Sequence, residues 1–172
     1  MTTSQGCRTP SPVTAASTIA IEDLPPHLGR DARLLGLDVG TKTIGMALSD
    51  VTRSVATPFD TIRRSKFTAD AKTIREVVEK NQVGALVIGF PLNLDGSEGP
   101  RAQSTRAFAR NLAAHVMVPM VFWDERLSTA AVERHLIEAD ASRKRRAEVI
   151  DRMAAAYILQ GALDRLRRLE LR

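Results

Sequence analysis

With 172 residues, 44% of them hydrophobic and 26% charged, the chain has the size and composition of one folded domain with a full core. Its single cysteine, Cys7, excludes an internal disulfide framework and a cysteine-built metal site, and aromatics at 4% argue against base stacking as the main contact with any nucleic acid. The net charge of +5 gathers at one end: residues 143–172 hold nine basic and four acidic side chains, an excess equal to that of the whole chain, which suits either a polyanionic partner or a solvated helix surface.

No apolar run reaches the length of a membrane span, and residues 1–30 lack the charged start and apolar core of a secretion signal. A cytoplasmic location with no membrane contact is the expectation. Residues 1–30 are rich in Thr, Ser, Pro and Ala without periodicity and read as a flexible extension, leaving residues 31–172 as the folded domain.

Two apolar segments, Leu34 to Val39 and Ile44 to Leu48, flank the turn Gly40-Thr41-Lys42-Thr43 and predict a β-hairpin. Alternation puts Leu35, Leu37 and Val39 on one face of the first strand and Leu34, Gly36 and Asp38 on the other. An acid inside such a run is costly unless it is hydrogen-bonded, paired or bound to a cation, so Asp38 is either a turn-stabilising group or part of a site. Residues 51–58 allow a third strand, ending near Ile62.

Helical spacing of Ile74, Val77 and Val78 predicts a first helix over residues 67–82. VGALVIGF, residues 83–90, has the unbroken apolar character of a buried parallel strand and stops at Pro91. A polar loop follows over 92–103. A second helix, roughly 101–116, would turn Phe108, Leu112 and His115 or Val116 toward the core. Residues 118–125 read as a further strand ending in two adjacent acids, Asp124 and Glu125. Ser128 is the expected N-cap of a third helix reaching about Ala139, residues 141–146 form a basic linker, and a long helix spans about 147–168. Hairpin strands followed by helix–strand alternation indicate an α/β sheet of mixed strand direction.

Three of these elements carry acids toward the interior. Asp124 and Glu125 end a strand at the edge where open α/β sheets usually present a site, and alternation allows only one of them to face it. Asp151 falls on the apolar stripe of the last helix with Ala155, Ile158 and Ala162. Converging carboxylates repel unless a hard divalent cation lies between them, and oxygen-only ligation suits Mg²⁺ or Mn²⁺ better than zinc. Such ions can activate water for phosphodiester hydrolysis.

The blocks LGLDVGTKTIGMALSD, VIGFPLNLDGSEGPRAQ, FWDERLSTAAVE and RRAEVIDRMAAAYIL resemble the signatures of the YqgF/RuvX family, over about residues 33–165. The resemblance implies an RNase H-like α/β domain, similar to RuvC-type resolvases, with a central mixed sheet of about five strands flanked by helices. It implies a metal-dependent endonuclease acting on structured nucleic acid, either at the 5′ end of pre-16S rRNA or on Holliday junctions. Asp38, Asp124, Glu125 and Asp151 match the family's acids, with Asp38, Glu125 (or in its place Asp124) and Asp151 as the metal set. In the junction resolvases a further acid lies on the strand after the first helix; here that strand reads VIGFPL, and the Asp-Glu pair of the next strand is the available substitute. Lys42, Arg101, Arg126, Arg143, Lys144, Arg145 and Arg146 are candidate phosphate-binding groups. Symmetric cutting of a four-way junction would call for a homodimer, although no self-complementary apolar stripe marks one. Two alternatives stay open: a nucleic-acid-binding module without catalysis, and an ATP-binding protein of the actin and sugar-kinase type, whose first phosphate loop resembles DVGTKTIG but whose two lobes need a longer chain.

Overall fold

The computed structural model describes residues 17–127 and 143–171, with residues 143–147 described by backbone alone. Strands are β1 (Thr18–Ile19), β2 (Arg33–Val39), β3 (Thr43–Ser49), β4 (Ala56–Arg63), β5 (Val83–Phe90) and β6 (Met120–Asp124); helices are α1 (Phe67–Lys80), α2 (Pro100–Leu112) and α3 (Arg143–Glu170). The order across the sheet is β1-β6-β5-β2-β3-β4. The pairs β1–β6, β6–β5 and β5–β2 are parallel, and the hairpin β2–β3 and its extension β3–β4 are antiparallel.

Six strands stand where about five were expected, because the sheet recruits residues assigned to the N-terminal extension. Thr18 and Ile19 pair with Met120 and Val121, and the Met120 amide donates to the Ser17 carbonyl at 3.0 Å. Two short 3₁₀ turns follow at Ile21–Asp23 and Pro25–His27, and they bury Ile21 and Leu24 in the core. Thr18, Ile19, Ile21 and Leu24, assigned to the extension, thus belong to the sheet and its core. Arg143 to Arg146, read as a linker, are the first residues of α3; Arg and Lys are good helix formers and give the chain no reason to break there. The helix expected between Ser128 and Ala139 lies outside the described residues.

Two helical layers cover the sheet. On one face α1 and α2 pack Ile74, Phe108 and Leu112 against Leu35, Leu37, Ile44 and Met46. On the other, α3 packs Ala155, Ile158, Leu159 and Ala162 against Leu34, Ala47, Val87, Val121 and Trp123. Val116 is buried, and His115 instead lies edge-on to Phe67 at 5.6 Å between ring centroids. No helix among the described residues is long and apolar enough to cross a membrane.

The α3 layer comes close because strand glycines face it. A Cβ at Gly36 would stand 2.8 Å from both the Ala155 carbonyl oxygen and the Leu159 Cβ, and one at Gly45 would collide with the Asp151 backbone. Glycine within a strand commonly marks such an approach of another backbone. Gly36→Ala is expected to lower the unfolding free energy by about 1–3 kcal/mol through overpacking, measured by urea denaturation.

The turn after β3 is organised by Asp50. Its carboxylate accepts the Ser54 and Val55 amides, each at 2.8 Å, together with the Thr52 hydroxyl. The Thr52 hydroxyl first, then these amides, hold the Asp50 carboxyl well below its ordinary value of 3.8. A depressed folded-state value stabilises the fold above the ordinary value and loses that contribution as pH falls through the depressed one. Unfolding titrated downward from neutral pH should show wild type losing stability below pH 3.8 by a margin that Asp50→Asn does not share.

Candidate active site

The carboxyl ends of parallel strands β2, β5 and β6 form one edge of the sheet, the usual place for a site in an open α/β fold. Asp38 is the penultimate residue of β2 and only 7% exposed. Like Leu34 and Gly36, it faces α3. Its cross-strand partner is Gly45, the residue against which the Asp151 backbone packs. Asp38 and Asp151 therefore lie on the same face of the sheet. Thr43, two residues before Gly45 and on the same face, donates its hydroxyl to Asp151 Oδ2 at 2.6 Å and fixes the orientation of that carboxylate.

The adjacent acids at the end of β6 separate. Asp124 follows the parity of Phe122 toward the α1–α2 face, where Arg126 grips it: Nε lies 3.0 Å from both carboxylate oxygens, Nη2 lies 2.7 Å from Oδ2, and the Arg126 amide donates to Oδ1 at 3.0 Å. The guanidinium hydrogen bonds hold the Asp124 carboxyl below its ordinary value and raise Arg126 in return. Arg126 also reaches the carbonyls of Asn93 and Leu94, so it ties the 92–98 loop to the end of β6. Glu125 follows the parity of Val121 and Trp123 toward α3. A Cβ placed on Gly89 would stand 2.8 Å from Glu125 Oε1, so this carboxylate lies over β5, the strand next to that of Asp38. The VIGFPL strand has no acid of its own, and glycine there leaves room for one from its neighbour.

Asp38, Glu125 and Asp151 thus share a face and an edge, whereas Asp124 is committed to an arginine on the other side. The donors are all oxygens, which fits a hard divalent cation in chemical type. As they stand, no three Asp, Glu, His or Cys groups among the described residues are gathered closely enough to form a metal site.

The candidate phosphate-binding groups divide in the same way. Lys42 in the hairpin turn and Arg101 in the first turn of α2 are exposed and line one cavity together with Asp151. Arg126 is engaged as described. Arg143, Lys144, Arg145 and Arg146 open α3, the helix that carries Asp151, and their side chains lie outside the described residues. Arg64, absent from the sequence-based set, lines the same cavity as Lys42. Its partners lie on the hairpin turn and α1, a grouping that no local spacing announces.

The family model described as Holliday junction resolvase, RuvX, matches residues 32–165. A Methylocella silvestris protein is 62% identical over 156 residues, covering 91% of this chain and 97% of its own length. One from Paramagnetospirillum magneticum is 64% identical over 146 residues, covering 85% and 94% respectively. Both carry the name "Putative pre-16S rRNA nuclease". Among solved structures, Thermus thermophilus RuvC in complex with a Holliday junction substrate superposes with a TM-score of 0.52 at 13% identity, over 79% of this chain and 96% of that one. The yeast mitochondrial Holliday junction resolvase Ydc2 gives 0.52 at 13% identity, over 88% and 85%. At such identities the likeness is one of fold, and that fold is RNase H-like. From the strand that bears Asp38 to the helix that bears Asp151, the chain belongs to the RuvX family.

Proposed function

We propose that this chain is a cytoplasmic, divalent-metal-dependent endonuclease that processes the 5′ end of pre-16S rRNA. The observation that carries the reading is the placement of Asp38, Glu125 and Asp151 on one face at the carboxyl edge of the sheet, from three elements distant in sequence. The relatives named for pre-16S rRNA match this chain at above 60% identity across nearly their full length, whereas the solved resolvases RuvC and Ydc2 share only the fold. The substrate reading therefore follows the former.

In this reading Asp38, Glu125 and Asp151 hold Mg²⁺ or Mn²⁺. A bound divalent cation supplies Lewis acidity, making water a stronger nucleophile and neutralising charge on the phosphate. The chain supplies the rest. Asp38, buried near the end of β2, offers carboxyl oxygens from a position that the sheet fixes. Thr43 holds Asp151 in one orientation, which limits the rearrangement that binding requires. Gly89 leaves the space over β5 through which Glu125 approaches. Asp124, paired with Arg126, keeps the 92–98 loop seated and stays outside the metal set.

Asp38→Asn and Glu125→Gln should each reduce Mn²⁺-dependent cleavage of a pre-16S rRNA fragment by more than ~100-fold, with circular dichroism unchanged. Mn²⁺ should raise the melting temperature of wild type but not of Asp38→Asn; full residual cleavage in Asp38→Asn would remove the mechanism. Gly89→Ala should displace Glu125 and reduce cleavage, whereas Asp124→Asn should retain the Mn²⁺-dependent rise in melting temperature. A four-way DNA junction assayed beside the RNA decides the substrate, and faster cutting of the junction would overturn the rRNA assignment.

A further inference from the structure

A cavity of about 1010 Å³ opens between the hairpin turn and helices α1 and α2, with Asp151 at its border. Among the described residues its charged lining comprises three basic groups, Lys42, Arg64 and Arg101, against that single acid. Phe67 and Phe108 add an apolar wall, their rings edge-to-face with centroids 5.7 Å apart. Of five phenylalanines in a chain poor in aromatics, two meet here.

Arg64 is the most constrained of the three cations. Its Nη1 donates to the Gly40 carbonyl at 2.8 Å, and its guanidinium carbon lies 5.6 Å from the centroid of the Phe108 ring. Its Nε stands 3.8 Å from Asp70 Oδ2. Asp70 is 2% exposed, and that oxygen accepts no hydrogen bond among the described residues, so its charge is left to act on Arg64. An arginine tied at once to the hairpin turn, α1 and α2 has little side-chain freedom left to lose on binding, and its planar fork matches a phosphate. The Lys42 and Arg101 side chains form no hydrogen bond or ion pair with another described residue and are available to a ligand.

We infer that this cleft receives an unpaired nucleic-acid strand running away from the carboxylate edge, with Arg64 as its fixed phosphate anchor and Lys42 and Arg101 on neighbouring phosphates. Three cations from separate elements suit a chain of phosphates. The ring of Phe67, partly exposed in the recess, meets the face of an unstacked base, which a base stacked within a duplex cannot offer, while Phe108 beneath it is buried and faced by Arg64. The inference rests on the nuclease reading for the position of the cut, not for binding itself.

The test uses the full-length chain carrying Asp38→Asn, so that nothing is cleaved. Fluorescence anisotropy follows a fluorescein-labelled single-stranded RNA, the same sequence as DNA, and the corresponding duplex, between about 50 and 200 mM KCl. The single strands should bind more tightly than the duplex, with RNA and DNA arms showing which sugar is preferred. Lys42→Ala and Arg101→Ala should each weaken single-strand binding and reduce the slope of log affinity against log salt by about 0.7. Arg64→Ala should do the same, and Arg64→Lys should restore the slope without restoring full affinity, because it returns the charge but not the fork. Unchanged slopes in Lys42→Ala and Arg101→Ala, or preference for the duplex, overturn the inference even if Arg64→Ala fails to fold. A wild-type chain that cleaves nothing, while these slopes still fall, sinks the nuclease reading and leaves the cleft standing.

Discussion

Everything at the carboxylate edge depends on how closely α3 lies on the sheet. Gly36 and Gly45 remove the side chains that would hold the helix off, and Ala155 and the Asp151 backbone occupy the space released. The long helix is thereby set at a height and rotation that put Asp151 on the face that Asp38 occupies, where Thr43 of the hairpin holds the Asp151 carboxylate by one hydrogen bond. A carboxylate on a helix and one on a strand cannot be brought together by either element alone; the clearance between the layers determines whether they meet.

The same device recurs one strand over. β5 supplies no acid, and Gly89 supplies no side chain at all, so Glu125 of the following segment extends above it. The fold obtains a carboxylate over β5 from the next element instead of from the strand itself. The division of labour between Asp124 and Glu125 follows from strand parity: one side chain must turn to the α1–α2 face, where Arg126 takes it and uses it to fasten the 92–98 loop.

Much of this was legible in the residues. The hairpin and the stripe of Asp151 with Ala155, Ile158 and Ala162 follow from periodicity and the buried strand over 83–90 from an unbroken apolar run, because each is a local pattern long enough to be read. The strand at Thr18–Ile19 was not, since two residues carry no period and their pairing with β6 is fixed from a hundred residues away. Parity at the end of β6 showed that Asp124 and Glu125 must diverge but not which way each would turn. That depended on which face of the sheet α3 would occupy. Arg64 was invisible for a related reason: what distinguishes it is contact with Gly40, Asp70 and Phe108, three elements whose proximity only the folded chain creates.

Trp123 packs on the α3 face so tightly that a Cβ on Gly161 would stand 2.9 Å from its ring, and its indole Nε1 is buried without a hydrogen-bond partner among the described residues. It is also the chain's single tryptophan. With excitation at a wavelength that spares Tyr157, intrinsic emission from this protein therefore comes from one indole whose surroundings are completed by the helix that bears Asp151. Lifting that helix would wet the indole and redden its light, so the molecule carries its own optical gauge of whether its last helix is seated.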